Sequence, residues 1–274
     1  MSSHPSGPPI ELSIVIPVYN EANNIKATLK KVKENISINY EVIIVYDFDE
    51  DTTLPVVREL QKHWSNLFVI KNTVARGPSG AIRTGIASTR GMRVLVLMAD
   101  SSDDVSQIEY MVSLIPKEAD IVCPSRYCPG GDQLIDDTSR LKATIPRLAG
   151  SLLRFFSGIQ TYDPTNSFKL YSADVLNAIT LRSTISFSVT LEIVAKAHCL
   201  GFRVFELPTV WKDREKGQSN FKLGRSIFVY IPWFCLALLG GRFLKMPRAW
   251  LETWLRRADS DKASEKENSL GAVS

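Results

Sequence analysis

A chain of 274 residues is long enough for one sizeable α/β domain, alone or with a short appendage. A hydrophobic share of 45% with 23% charged residues excludes a largely disordered chain and a multi-span membrane protein, so any membrane contact is local. A formal charge of +4 is too weak to argue for nucleic acid, yet it suits phosphate ligands or anionic headgroups.

Residues 1–10 form a polar Ser/Pro/Gly stretch without the basic start and apolar core of a secretory signal, and they read as a disordered terminus. The expected location is therefore cytoplasmic, peripheral on the cytosolic face of a membrane. Apolar β-rich runs follow at 12–18, 42–45, 67–70 and 94–98, with a shorter one at 121–123. Between them lie helical spacings: Ile25, Leu29 and Val32, then Leu54, Val57 and Leu60, then the stretches 81–87 and 108–114. Strand and helix in alternation predict an α/β fold, a mostly parallel sheet with helices on both faces. From Asp132 the texture changes to a polar loop (130–137), a helix (139–156), a loop (161–167), a helix (189–200) and a strand (203–211). An apolar run at 226–240, a basic aromatic segment at 242–257 and a polar tail at 258–274 complete the chain. The expected division is a catalytic domain over 11–225, membrane-interface helices over 226–257 and a disordered tail. Cys123, Cys128, Cys199 and Cys235 form neither a paired Cys-x-x-Cys nor a group with histidine, and are read as reduced.

Ligands of open parallel sheets sit outside the carboxyl ends of the strands. Three polar clusters stand there: residues 17–21 (Pro-Val-Tyr-Asn-Glu), 47–51 (Asp-Phe-Asp-Glu-Asp) and 99–104 (Ala-Asp-Ser-Ser-Asp-Asp). Carboxylates at neighbouring strand ends repel one another unless a cation lies between them. Hard oxygen ligands suit Mg²⁺ or Mn²⁺ bridging to a diphosphate. Asp51 and Asp104 also fit helix caps, an ordinary duty for Asp in such loops.

The block at 13–21, Ser-Ile-Val-Ile-Pro-Val-Tyr-Asn-Glu, resembles the opening signature of family-2 glycosyltransferases of the GT-A fold. Residues 41–47 are similar to that family's second strand, ending in the Asp that holds the nucleobase, and Ala99-Asp100 falls where its Asp-x-Asp lies. Ser125-Arg126-Tyr127, the stretch 163–168 and the stretch 213–219 resemble later motifs of the branch that makes dolichol-phosphate and polyprenyl-phosphate mannose. The resemblance spans about residues 11–225. It implies that Pro17, Tyr19, Glu21, Val45, Asp47 and Ala99 surround the donor nucleotide and that Asp100 holds a Mg²⁺ or Mn²⁺ ion. It further implies that Arg126, Arg214 and Lys222 grip phosphates, where a planar guanidinium matches phosphate oxygens and offsets charge on the leaving diphosphate. Three departures stand out. Met98 replaces the first Asp of Asp-x-Asp, with Asp103 offering a second carboxylate. Lys222 lies two residues beyond the branch's lysine, and Tyr46-Asp47-Phe48-Asp49 replaces Asp-Asp-x-Ser.

A hydroxyl acceptor needs a base, whereas a lipid phosphate is already anionic and attacks without one. No His lies beside a motif, which favours a phosphate acceptor, and the resemblance then implies transfer of a hexose, mannose or glucose, to a polyprenyl or dolichyl phosphate with inversion; Asp163 and Glu192 are the candidate bases for a hydroxyl acceptor. Met98 also leaves room for a catalytically inactive sugar-nucleotide sensor or partner subunit. A nucleotidyltransferase would need a Gly-rich loop after the first strand, and a dinucleotide oxidoreductase a Gly-x-Gly-x-x-Gly there; neither is present. At 226–240 about 15 apolar residues fall short of the roughly 20 a spanning helix needs, and Pro232 interrupts them. Phe243, Trp250, Trp254 and Leu255 alternate with Arg242, Lys245, Arg248, Arg256 and Arg257, a composition that sits at headgroup level.

Overall fold

The computed structural model describes residues 8–134, 137–212 and 223–240. Its elements run β1 (Leu12–Pro17), α1 (Ile25–Asn35), β2 (Tyr40–Tyr46), α2 (Thr53–Gln61), β3 (Leu67–Lys71), α3 (Pro78–Ala87) and β4 (Arg93–Val96). A 3-10 turn (Val105–Gln107), α4 (Ile108–Leu114), β5 (Ile121–Ser125), β6 (Asp132–Leu134), α5 (Asp137–Ser157), β7 (Lys169–Ser172) and α6 (Ala173–Ala178) follow. The last are α7 (Ser188–Leu200), β8 (Val204–Pro208), β9 (Val210–Lys212) and α8 (Leu223–Leu239).

Seven strands form one sheet in the order β3-β2-β1-β4-β7-β5-β8. β3, β2, β1 and β4 are parallel neighbours, with Leu12 opposite Tyr40 on one side and Arg93 on the other. Alternate residues of β1 face opposite layers. Leu12, Ile14 and Ile16 enter the core with Ile25, Leu29 and Val32 of α1, while Val15 packs with Ala81 of α3. A second core beneath α7 gathers Ile193, Val194 and Ala197 with Leu236 and Ala237 of α8. The strands are apolar on both faces because helices cover both, as the alternating sequence implies.

The structure departs from the sequence reading at several places: β6 forms within the expected polar loop 130–137, α6 was not anticipated, and two further features concern the main sheet. β7 inserts antiparallel between β4 and β5, pairing Val96 with Lys169 and Val122 with Leu170. It is only four residues long and opens on a lysine, so neither length nor pattern marks it as a strand. The single strand expected over 203–211 is two strands that part at Thr209. Pro208 lacks an N–H to continue the ladder, Thr209 N donates to Ser125 O at 3.1 Å, and β9 leaves to pair with β6 in a separate two-stranded sheet.

α8 lies on α7 and α5. Leu236 and Ala237 are buried there, whereas Phe228, Ile231 and Leu239 remain exposed. On α5 the exposed residues Ile145, Leu148, Leu152 and Phe155 recur at helical spacing along one stripe. Among the described residues no helix is long and apolar enough to cross a membrane. Residues 241–257, which carry the basic aromatic segment, lie outside the described residues.

Candidate active site

Because β2, β1 and β4 are adjacent and parallel, their carboxyl ends bring residues 47–51, 17–21 and 99–104 to one edge of the sheet. The loops are tied together there. Asn20 takes a φ of 56°, and its N–H donates to both oxygens of buried Asp51 at 3.1 Å. Asp51 also accepts the Thr53 N–H at 2.8 Å at the start of α2, as expected of a cap, and Thr53 Oγ1 accepts from Glu21 N. Asp104 likewise caps the 3-10 turn through Ser106 N at 3.1 Å. Pro17 ends β1 opposite Val45, which is buried in β2, while Tyr19 stands 56% exposed above them.

Asp47 is half-buried just beyond β2. One carboxylate oxygen accepts Asn72 Nδ2 at 2.7 Å and the other accepts Gly77 N at 2.8 Å. Phe48 meets Tyr19 edge-on at 5.5 Å between ring centroids, and the Arg76 guanidinium lies 5.9 Å from the Phe48 ring. The result is an aromatic and cationic rim beside a carboxylate. Asn72 and Arg76 were not singled out in the sequence, and Phe48 figured there only as part of the 47–51 cluster and its motif. Asn72 is a lone polar residue at a strand end, and the acidic-cluster criterion passes over it.

At the end of β4 Asp100 and Asp103 are both buried. Asp100 Oδ1 accepts Ser102 Oγ at 2.6 Å and Ser102 N at 3.2 Å, while Asp103 Oδ2 accepts Met98 N at 3.1 Å. Ala99 is fixed through its carbonyl by Thr28 of α1 at 2.8 Å. Burial, with the neighbouring Asp100 carboxylate second, pushes the Asp103 carboxyl up to about 7. A divalent cation beside the two carboxyls would offset the cost of charging Asp103. Among the described residues no group of three or more His, Cys, Asp or Glu side chains could hold a metal by itself. Two carboxylates suffice when substrate phosphates and water complete the shell, the usual arrangement for Mg²⁺.

Arg126 follows β5, and its fork closes on Asp163, Nε to Oδ2 at 2.6 Å and Nη2 to Oδ1 at 2.9 Å. Asp163 is fully buried, yet the guanidinium outweighs the burial and holds its carboxyl below the usual range. Lys169 of β7, also fully buried, donates to the carbonyls of Asp163 and Asn166 and so fastens the loop that carries Asp163. The guanidinium thus reaches the edge of the site already paired. Glu192 is similarly engaged, accepting Lys196 Nζ at 2.6 Å and the Arg182 and Ser183 N–H groups at 2.8 and 2.7 Å. Arg214 and Lys222 lie outside the described residues.

Known proteins resemble this chain in sequence and in fold. Residues 13–180 match the model of glycosyl transferase family 2. A dolichol-phosphate mannosyltransferase of Pyrococcus furiosus is 27% identical over 231 residues, which cover 81% of this chain and 62% of that protein. An undecaprenyl-phosphate mannosyltransferase of Micrococcus luteus is 30% identical over 216 residues, covering 77% of this chain and 87% of that protein. Among solved structures, glucosyl-3-phosphoglycerate synthase from Mycobacterium tuberculosis in complex with Mn²⁺, uridine diphosphate and phosphoglyceric acid superposes with a TM-score of 0.59 at 14% identity. The superposition covers 87% of this chain and 80% of that one, a likeness of fold. With the family signature running from β1 to beyond β7 on a sheet that gathers its polar residues at one edge, this chain belongs to glycosyl transferase family 2.

Proposed function

We propose that the protein transfers a hexose, mannose or glucose, from a nucleotide-diphosphate sugar to a polyprenyl or dolichyl phosphate at a membrane surface. The observation that carries the reading is the convergence of Tyr19, Asp47 and Asp100 on adjacent strand ends in a member of this family. Tyr19, Phe48 and Asp47 seat the nucleoside, with Pro17, Glu21, Val45 and Ala99 forming the floor and walls. The diphosphate then lies over β4. Asp100 and Asp103 would hold a Mg²⁺ or Mn²⁺ ion, which supplies positive charge to the departing diphosphate. That the mycobacterial synthase is known in complex with Mn²⁺ and uridine diphosphate supports the use of a divalent metal with the donor. Arg126 faces the same edge as a positioned cation, and Arg214 and Lys222 are the further phosphate ligands.

An acceptor phosphate oxygen attacks the anomeric carbon as the bond to the diphosphate breaks. The nucleoside diphosphate leaves with the electron pair, and the configuration inverts. No proton has to be removed. The state of the candidate bases supports a phosphate acceptor: Asp163 is locked by Arg126 and Glu192 by Lys196, so neither is poised to deprotonate a sugar hydroxyl. The relatives that act on dolichol phosphate and undecaprenyl phosphate point the same way.

The exposed stripe of α5 and the exposed face of α8 fit docking on a bilayer without crossing it, with residues 226–257 as the interfacial segment beside a catalytic domain over 11–225. A peripheral position on the cytosolic face follows from this reading. Incubation of the full chain with radiolabelled GDP-mannose or UDP-glucose, dolichyl or undecaprenyl phosphate and Mn²⁺, followed by organic extraction, tests it. Label is expected in the lipid phase with inverted anomeric configuration by NMR. Water-soluble product only, or retained configuration, overturns it.

A further inference from the structure

We propose that residues 180–187, between α6 and α7, form a strap that positions the start of α3 at the donor edge of the sheet, and that the left-handed backbone of Ser186 makes the contact. The inference rests on the reading of that edge as the donor site. A helix leaves its first amide protons without partners of its own. In α3, Pro78 has none to offer, and the Ser79 N–H donates at 2.9 Å to the carbonyl of Ser186, far along the chain. Ser79 is fully buried, and its Oγ accepts the Val189 N–H of α7 at 3.2 Å while donating to Ile185 O at 3.4 Å. Just before it, Gly77 holds a φ of 106° and gives its N–H to Asp47 at 2.8 Å. A Cβ on Gly80 would stand 1.8 Å from Ala75 O, so the turn into α3 is packed against the helix itself. A shift at Ser79 is therefore passed to Gly77 and on to the loop beyond β2.

Ser186 adopts a φ of 54°, a conformation that a serine keeps only where its surroundings impose it. Three helices supply them. On α7 the fully buried Glu192 accepts the N–H groups of Arg182 and Ser183 at 2.8 and 2.7 Å. Lys196, also buried and paired with Glu192 at 2.6 Å, donates to Thr180 O. Ser188 Oγ donates to Ile185 O at 2.7 Å, and Arg83 of α3 reaches Ser183 O at 3.3 Å. From α8, the Trp233 ring lies 5.0 Å from the Lys196 ammonium. A buried ion pair is costly to desolvate. This one directs its remaining hydrogen bonds to the backbone of a single short segment, as an anchor for that segment would.

Two substitutions at one position separate conformation from side chain. Ser186→Gly keeps the left-handed turn and the carbonyl, whereas the β-branched side chain of Ser186→Val disfavours that turn. Isothermal titration of the full chain with UDP, GDP, CDP and dTDP, each with Mn²⁺, is read beside hydrogen exchange of the amides of residues 77–82. In Ser186→Val the tightest nucleotide should bind about threefold to tenfold more weakly, the strength of one hydrogen bond, and exchange over 77–82 should quicken. Ser186→Gly should bind as tightly as the wild type. Ser79→Ala, which removes both Oγ bonds at a helix position that alanine suits, should weaken binding in the same range even where Ser186→Val does not fold. A lowered thermal midpoint with unchanged nucleotide affinity in Ser79→Ala or Ser186→Val would make the strap a stabiliser of the fold and no more. Equal losses in Ser186→Gly and Ser186→Val would show that the left-handed turn is not what matters. Either result overturns the assignment. A wild type that binds none of the four nucleotides overturns the donor reading instead, and the exchange of residues 77–82 in the variants still decides whether the strap holds α3.

Discussion

On the proposed reading two requirements meet at Asp100 and Asp103: the carboxylates must be buried to act strongly on a diphosphate, and burial beside Asp100 makes charging Asp103 costly. Asp100→Ala is therefore expected to lower kcat by about 10²–10³-fold or more, since it removes charge that acts only as the diphosphate departs. The thermal midpoint should stay near the wild type, and Asp103→Ala should lose less activity. Turnover of the Asp100 variant at the wild-type rate under saturating Mn²⁺ would defeat the metal assignment. A second residue-scale expectation concerns His198 of α7, whose Nε2 lies 3.1 Å from Ser157 O. Burial lowers its basicity in the folded chain, so the unfolded chain takes up the proton first as acid is added. The stability present above pH about 6.5 should drain away as pH falls through and below that value. His198→Gln should flatten that part of the profile of thermal midpoint against pH; an unchanged slope would show that other groups carry it.

Among the elements, β1 to β4 and the helices between them were legible because their signals are local. Each strand is an apolar run flanked by turn residues, each helix has a periodic face, and the strand-end rule points at once to residues 17–21, 47–51 and 99–104. What was not legible is held by distant partners. β7 is a strand because β4 and β5 flank it, and Lys169 is tolerated inside because carbonyls of residues 163 and 166 receive its protons. The pairing of Arg126 with Asp163 joins residues 37 apart, which no spacing rule anticipates. Asn72 escaped because an amide signals nothing until its four neighbours are known. α3 shows how tight the assembly is. A Cβ on Gly85 would lie 2.3 Å from Val15 Cγ1 and 3.1 Å from Val45 Cγ2, so α3 rests directly on β1 and β2. Gly85→Ala is expected to destabilise the fold by about 1–3 kcal/mol through overpacking, despite its better helix propensity. Chemical denaturation would check this; a gain in stability would mean that the helix shifts freely on the sheet.

For the whole molecule, docking on a bilayer is a question of which apolar surface stays uncovered. Phe155 is 69% exposed and Phe228 is 72% exposed, one on α5 and one on α8. Singly exposed apolar residues are ordinary, but two packed helices that each show a stripe are not. The double variant Phe155→Glu, Phe228→Glu leaves the buried faces of both helices intact. It should abolish flotation with anionic liposomes while the wild type floats at low salt. Equal flotation of the two would place the contact elsewhere in the chain.

The antiparallel strand also dictates an order of assembly. β7 fills the gap between β4 and β5, yet its residues 169–172 are made after both neighbours, so a nascent chain must hold the β4 edge open until they emerge. Four parallel strands can assemble first, but β5 is made before both of its neighbours and has neither β7 nor β8 to pair with until they emerge. Through that interval an apolar strand lies unprotected, the condition in which chains aggregate or recruit chaperones. Ribosome-bound chains with only residues 1–160 emerged should be cut readily by protease within the segment after β4, and chains exposed through residue 212 should resist. Equal resistance at both lengths would mean that the parallel half closes its own edge, leaving β7 to displace whatever had taken its place.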